Sequence, residues 1–399
     1  MDVATALAST VAVARQPILD GSQRLQGYEL LHRGVAAYGE QATAQVLLAA
    51  FGDIGLRSLV GAQPAWVNVT RRFLLDVDPL PLPPEGVVLE LLEDQVLDEE
   101  LLGRLQELHA AGFKIALDDF VYTPEAEDVL RLASIVKVDV LAGGHQHAAR
   151  QADLLRRFGV TLLAEKVEDR GMYAYCLGLG YELFQGYFFC KPEIVTGREI
   201  PTSASASLQD IAVLSRADAT FEEIEAVVAR DPGLTLRLLR LLNSAAYSLR
   251  KRVTSVREAV TMLGSRTVRQ WAMMLVLGGI SSTCDELVPT ALSRARTLSR
   301  LAERRGGDTD VAFSVGLLSV ADALLGVAME DALAGLPLHE AVVDALLHRA
   351  GPDGAALTAV LDYEWGTGPV LVHGAEDPLG ECYAEALSWS LQVTSAARG

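Results

Sequence analysis

Cysteine, aromatic residues and positive charge are all scarce in this chain of 399 residues. Its four cysteines (Cys176, Cys190, Cys284 and Cys382) lie far apart with no C-x-x-C pair. That excludes a disulfide framework and predicts reduced, incidental thiols in a cytoplasmic protein. Aromatic residues make up 6% of the chain, and no aromatic platform for stacking bases is evident. Lysine and arginine number 34 against 52 acids, a formal net charge of −18. Bulk electrostatic binding to nucleic acid or to an anionic membrane surface is therefore not expected. The longest apolar run, "WAMMLVLGGI", spans about ten residues, too few to cross a bilayer. An acid stands near the start of "MDVATALAST", where an export signal needs positive charge, so no signal is expected. What is plentiful is apolar surface. Half the residues are hydrophobic, enough for a large core, and the length suits a barrel followed by a helical domain.

The first half alternates short β-branched runs with amphipathic helices. "VAVARQPIL", "GYELLHR", "AWVNVT", "GVVLELLE", "FKIALDDF", "IVKVDV", "VTLLAEKV" and "YELFQGYFF" read as strands, with helices such as "EELLGRLQELHAAG" and "QHAARQADLLRRFG" between several of them. The alternation predicts parallel βαβ units. Eight strands in fewer than 200 residues predict a TIM-like β/α barrel, its first two strands joined directly; a doubly wound sheet is the alternative. "TGREIPTSASASLQD" (196–210) loses apolar periodicity and marks the domain boundary. The expected organisation is a barrel over 1–197, a linker over 198–207 and an all-helical domain over 208–399. In the second half, Asp231-Pro232 predicts a helix start with proline in the first turn.

Barrel proteins place their chemistry at the C-terminal ends of the strands. Those positions here hold Glu29, Asn68, Glu90, Asp118, Asp119, Lys137, Asp139, Glu165 and Gln185, almost all oxygen donors, with one lysine. Taken singly, each is a plausible solvated carboxylate or helix cap. Their recurrence in unit after unit predicts a convergent acidic ring. Two carboxylates about 4 Å apart repel by roughly 4 kcal/mol at an effective dielectric near 20, so such a ring takes up protons or binds cations. A donor set of oxygens without histidine or thiolate favours Mg²⁺ or Mn²⁺. The chemistry predicted is metal-assisted attack of water on a phosphodiester, with a two-metal clamp on the attacking and leaving oxygens.

"RQPILD…LQGYELLHR", "WVNVT", "VLELLE", "IALDDF", "VKVDV", "AEKVED" and "FQGYFFCKP" follow, in order, the motifs of EAL-type domains, which hydrolyse or sense cyclic di-GMP. The resemblance covers roughly residues 11 to 195, with Glu29-Leu30-Leu31 as the signature triplet. It implies metal ligation by Glu29, Asn68, Glu90, Asp118 and Asp119, and orientation and activation of water by Lys137 and Glu165. It further implies that Arg33 holds a substrate phosphate, that Gln16 and Pro17 begin the guanine-side pocket, and that Gln185 borders the ligand and the metal site. Glu168 and Asp139 would support the metal site from behind, and Glu93 would steady the loop after the paired aspartates. That loop departs from the family pattern. The glycine-containing segment of active members is replaced by Val121-Tyr122-Thr123-Pro124-Glu125-Ala126-Glu127-Asp128, and Leu30 stands where alanine is usual.

The second half resembles the HDOD module, a helical relative of the HD phosphohydrolases, through Asp231-Pro232, Asn243-Ser244 and the run from Val253 to Gly264. No His-Asp dipeptide occurs, and Leu318-Ser319-Val320 stands at the corresponding place. His339 and His348 lie nine apart and fit no zinc-protease spacing. This half is expected to interact rather than catalyse. Arg250, Lys251, Arg252 and the arginines at 237, 240, 257, 266 and 269 form a basic region, read as solvated helix faces or a docking surface. Trp271, Met273 and Met274 read as core.

Three functions are left open: a receptor that binds cyclic di-GMP in the barrel and relays it through the helical half to a protein partner; a Mg²⁺- or Mn²⁺-dependent phosphodiesterase yielding the linear dinucleotide; and a scaffold without ligand. A homodimer is compatible with each.

Overall fold

The computed structural model describes residues 13–32, 56–93, 95–186, 202–243, 253–280, 286–366 and 378–398. Two compact units emerge: Met1–Phe189 together with Tyr363–Gly380, and Cys190–Asp362 together with Glu381–Gly399.

In the first unit eight strands close into a barrel in sequence order. They are β1 (Val13–Asp20), β2 (Leu25–His32), β3 (Ala65–Val69), β4 (Val87–Leu91), β5 (Lys114–Leu117), β6 (Ile135–Asp139), β7 (Thr161–Glu165) and β8 (Leu183–Phe184). All eight expected strands are present. β2 to β8 are parallel to their neighbours, whereas β1 runs antiparallel to both β2 and β8. A direct turn between the first two strands imposes that reversal, since a parallel pair needs a long crossover.

Alternation along the strands separates two layers inside the barrel. The lower one is apolar: Ile18, Trp66, Val88, Ala116, Ile135 and Leu163 pack together, with Leu183 against them. Two residues further toward the mouth, on the same side of each strand, stand Gln16, Asn68, Glu90, Asp118, Lys137, Glu165 and Gln185. The apolar plug thus sets the floor on which the polar layer rests. On β2 the floor position is Gly27, where a Cβ would fall 2.6 Å from Trp66 Nε1, so the indole occupies the volume a side chain would need. Helices after the strands begin at polar caps. Thr70 accepts from Phe73 N, Asp98 from Leu101 N, Asp139 from Leu141 N and Ala142 N, and Asp169 from Met172 N.

The described part of the second unit contains helices only. The helix Thr202–Ser215 already covers residues 202–207, which the sequence reading placed in a linker. Its serines hide the signal: alternating Ser and Ala carry no apolar stripe, yet alanine is the best helix former. Helices Phe221–Arg230 and Pro232–Leu242 meet at Asp231-Pro232, as expected. The Asn243 amide ties the chain: Nδ2 donates to Leu239 O (2.7 Å) and Val253 O (2.8 Å), and Oδ1 accepts from Val253 N (2.8 Å). Trp271, Met273 and Met274 are buried, with Trp271 5.9 Å from Trp389. His339 and His348 are exposed.

The basic region resolves into local pairs. Arg269 is buried and donates to Leu214 O and to Asp310, which also takes Arg266; Arg257 lies over the Phe221 ring near Glu225. Arg250, Lys251 and Arg252 lie outside the described residues.

At the end of β8, a Cβ on Gly186 would sit 2.3 Å from the backbone N and O of Val167. That close approach lets Val167 N donate to Gln185 O (3.0 Å) and Gln185 N to Ala164 O (2.9 Å), which fixes Gln185 over the barrel mouth. Gly186→Ala is expected to lower unfolding free energy by about 1–3 kcal/mol, as overpacking does. Chemical denaturation checks it, and stability unchanged within error would show that the approach relaxes freely.

Candidate functional site

Lys137 stands at the centre of the polar layer, 1% exposed. Its ammonium lies 2.6 Å from Asp118 Oδ1, 2.9 Å from Glu165 Oε1, 3.0 Å from Glu90 Oε1 and 3.4 Å from Glu29 Oε2. Four strands other than its own, or their immediate ends, therefore send a carboxylate to one lysine. Glu29 is held further by Gln185 Nε2 (2.7 Å) and Asn68 Nδ2 (3.0 Å), and Gln185 Nε2 also donates to Gln16 Oε1 (2.8 Å). Eight of the residues named from sequence, Gln16, Glu29, Asn68, Glu90, Asp118, Lys137, Glu165 and Gln185, thus form one connected cluster.

The charges do not balance, with four carboxylates facing one ammonium in a nearly dry mouth. Burial opposes the charge on Lys137, but the surrounding carboxylates overcome it and hold its pKa well above the usual lysine value. Burial, with the charges of Glu29 and Asp118, pushes Glu90 well above the ordinary carboxyl range. Burial also raises Asp118 and takes Glu165 from 4.5 to about 8, against the pull of Lys137. Glu29 ends below its ordinary value: burial works against ionisation, but the Lys137 charge and the Gln185 and Asn68 hydrogen bonds prevail. Within one ring, Glu29 is thus pushed toward its ionised form and Glu90, Asp118 and Glu165 toward their protonated forms.

The other expected residues stand apart. Asp119 and Asp139 face Lys166, whose Nζ lies 3.3 Å from Asp119 Oδ2 and 2.5 Å from Asp139 Oδ2. Glu93 and Glu168 are exposed in turns after β4 and β7, so neither is gathered into the cluster. Pro17 lies on β1 beside Gln16, facing the other side of the strand. Arg33 lies outside the described residues. Lys166 went unnoticed in the sequence, although an unpaired-looking lysine directly after a strand-end glutamate was a signal to test against neighbouring acids.

The segment that replaces the glycine-containing loop is tied to Gln151 and Arg157 on the outside of the barrel. Pro124–Ala126 forms a 3₁₀ turn leading into the short helix Glu127–Leu130. Tyr122 N donates to the buried Gln151 side chain (3.1 Å), Tyr122 Oη donates to Glu127 (2.9 Å), and Arg157 binds both Tyr122 Oη and Glu127.

The donor set fits a hard divalent cation in its chemistry. Glu90 Oε2, Asp119 Oδ1 and Glu165 Oε2 are buried carboxylate oxygens without a hydrogen-bond partner. Such oxygens are costly unless protonated or bound to a cation. In the side-chain arrangement described, the acids converge on Lys137, and no three acidic, histidine or cysteine side chains among the described residues are disposed to hold a metal by themselves.

The first unit is thus a closed barrel whose strand-end oxygens converge on a buried lysine, and the second is helical throughout its described residues. Family models match the EAL domain over residues 68–192 and the HDOD domain over residues 200–375. The chain is 31% identical over 331 residues to uncharacterized protein YuxH of Bacillus subtilis (79% of this chain, 81% of that protein). It is 33% identical over 336 residues to the cyclic di-GMP phosphodiesterase CdgJ of Vibrio cholerae (80% and 77%). Among solved structures it is similar to Klebsiella pneumoniae BlrP1 in its manganese and cyclic di-GMP complex, at 20% identity and a TM-score of 0.37, covering 45% of this chain and 55% of that one. The chain belongs to the two-domain EAL–HDOD family, which ties it to the cyclic di-GMP network. No helix among the described residues is long and apolar enough to cross a membrane.

The raised carboxyls have a consequence for stability. Between 4.5 and about 8 the folded protein holds the Glu165 proton that the unfolded chain has released. Stability therefore falls as pH rises through this window, by up to ~1.4 kcal/mol per pH unit for each such group. Denaturant unfolding in chelator from pH 5 to pH 8.5 is expected to show that decline, and Glu165→Gln to make it shallower. A flat native profile would contradict the assignment.

Proposed function

We propose that the barrel is a divalent-cation-dependent phosphodiesterase that opens cyclic di-GMP to the linear dinucleotide, and that the helical half docks a protein partner. The observation that carries the reading is Lys137 in contact with Glu165 and three further acids at the mouth of a closed barrel. The name of the Vibrio cholerae relative, matched over 77% of its length, supports it. Glu29, Asn68, Glu90 and Asp118 would hold Mg²⁺ or Mn²⁺, which when bound supplies positive charge to the diester oxygens and acidifies water. Lys137 fixes the carboxylates around it and presents a donor to the attacking water. Glu165, in contact with Lys137 through one oxygen and with its other oxygen buried and unpaired, would take the proton that water loses as its oxygen bonds to phosphorus. The phosphorus–O3′ bond breaks, and the departing oxygen is protonated. Gln16 and Gln185, bonded to each other at 2.8 Å, border the ring where the ligand's base would lie.

The receptor reading has its own observation. The segment after the paired aspartates is locked to Gln151 and Arg157, so the conformational freedom that glycines confer there is absent. Incubation of the purified chain with cyclic di-GMP and Mg²⁺ or Mn²⁺, with chromatographic quantitation, separates the two. Hydrolysis predicts metal-dependent linear dinucleotide, reduced at least 100-fold in Glu29→Ala. Intact ligand that co-purifies with the protein would select the receptor, and intact ligand without binding would reject both.

A further inference from the structure

Lys166 follows Glu165 directly at the end of β7 and bridges Asp119 and Asp139, outside the set that contacts Lys137. We propose that Lys166 is a built-in counter-charge on Asp119 that takes the place of a second divalent cation, so the barrel binds one metal ion rather than two. The inference rests on the metal reading given above and narrows it.

Three observations lead to it. The first is that the Lys166 side chain, although about half exposed, is tethered at its ammonium. Asp139 Oδ2 holds it at 2.5 Å, while Asp139 Oδ1 is committed to capping the helix Val140–Leu155 through Leu141 N (2.8 Å) and Ala142 N (2.9 Å). A carboxylate fixed by two backbone donors fixes the lysine in turn.

The second is the backbone. Lys166 and Asp119 both adopt left-handed conformations, with φ of 55° and 41°. Non-glycine residues seldom do so without a compensating constraint. Val167 N donating to Gln185 O (3.0 Å) and Phe120 N donating to Lys137 O (3.0 Å) hold the two turns. The turns aim the two side chains at each other across the strand ends. Glycine would adopt the Lys166 conformation without strain, so the side chain is retained at a position that does not favour one.

The third is what remains of Asp119. Its Oδ2 is engaged by Lys166, and its Oδ1 is buried with no hydrogen-bond partner. One oxygen is therefore neutralised and one is left to accept a cation. A divalent ion bridging Asp119 on the lysine's side would meet a fixed ammonium at ion-pair range and suffer twice the repulsion of a monovalent one. Asp119 can lend its free oxygen to a single metal ion shared with the ring. It is poorly placed to anchor a second.

The test is a count. Mn²⁺ binding to the full chain, without nucleotide, is read from loss of the free-ion paramagnetic resonance signal for the native protein and for Lys166→Gly, Lys166→Asn and Lys166→Arg. Glycine and asparagine both tolerate the left-handed backbone, so failure of one to fold leaves the other. Arginine keeps the charge. One Mn²⁺ per chain in the native and arginine proteins, and two in the glycine and asparagine variants, is the expected result. Two in the native protein, or one in all four, would overturn the role of Lys166 and leave the metal site standing. No Mn²⁺ in any of them would remove the metal site and this inference together.

Discussion

One lysine placed among four carboxylates governs the first unit of this protein. Lys137 is buried, as are Glu29, Glu90 and Glu165, and Asp118 is half-buried beside them. Removing such groups from water costs several kcal/mol per ion unless each finds opposite charge or a proton. Four acids against one base leave an excess of negative charge that the barrel mouth cannot hold unaided. The structure meets that excess in two ways, with burial pushing Glu90, Asp118 and Glu165 toward their protonated forms and amide donors turned onto Glu29. A ring in this condition has unused capacity for positive charge.

The apolar layer beneath the ring is the mechanical partner of that electrostatic arrangement. Trp66, Val88, Ala116, Ile135 and Leu163 fill the barrel two residues below the donors on the same strands. Because side chains alternate with period two, the plug and the ring cannot shift independently. The plug also closes the site to water from below, which strengthens each contact above it. Gly27 leaves room for the indole, and Gly186 lets β8 come close enough to deliver Gln185. The helical unit is organised differently. Arg257, Arg266 and Arg269 pair locally, and the unit contains no counterpart to the ring among the described residues.

Most of the site was legible because strand ends recur. Glu90, Lys137 and Glu165 each close a β-branched run at the same phase, and that regularity set them apart from ordinary surface acids. Asp119 shows where the reading fails. It neighbours Asp118 in sequence, yet a left-handed turn separates their partners: Lys137 for one, Lys166 for the other. No periodicity in the sequence announces such a turn at an aspartate. Lys166 was missed for the same reason, since its partners arrive from the end of β6, 27 residues away, and from the turn after β5, 47 residues away. Glu93 and Glu168 fit a motif but not a position in the cluster, because turn residues do not inherit the phase of the strand before them. The helix over 202–207 was hidden by composition, as Ser and Ala give no stripe to detect.

Lys137→Met isolates the central claim, since methionine keeps most of the volume and removes the charge. Urea unfolding at pH 7.5 would be followed with chelator and with saturating Mn²⁺. If the lysine is the counter-charge of the ring, the variant loses roughly 3–5 kcal/mol in chelator, the usual cost of stranding a buried charge. Mn²⁺ should then recover most of that loss. A variant as stable as the native chain in chelator, and indifferent to Mn²⁺, would contradict the account.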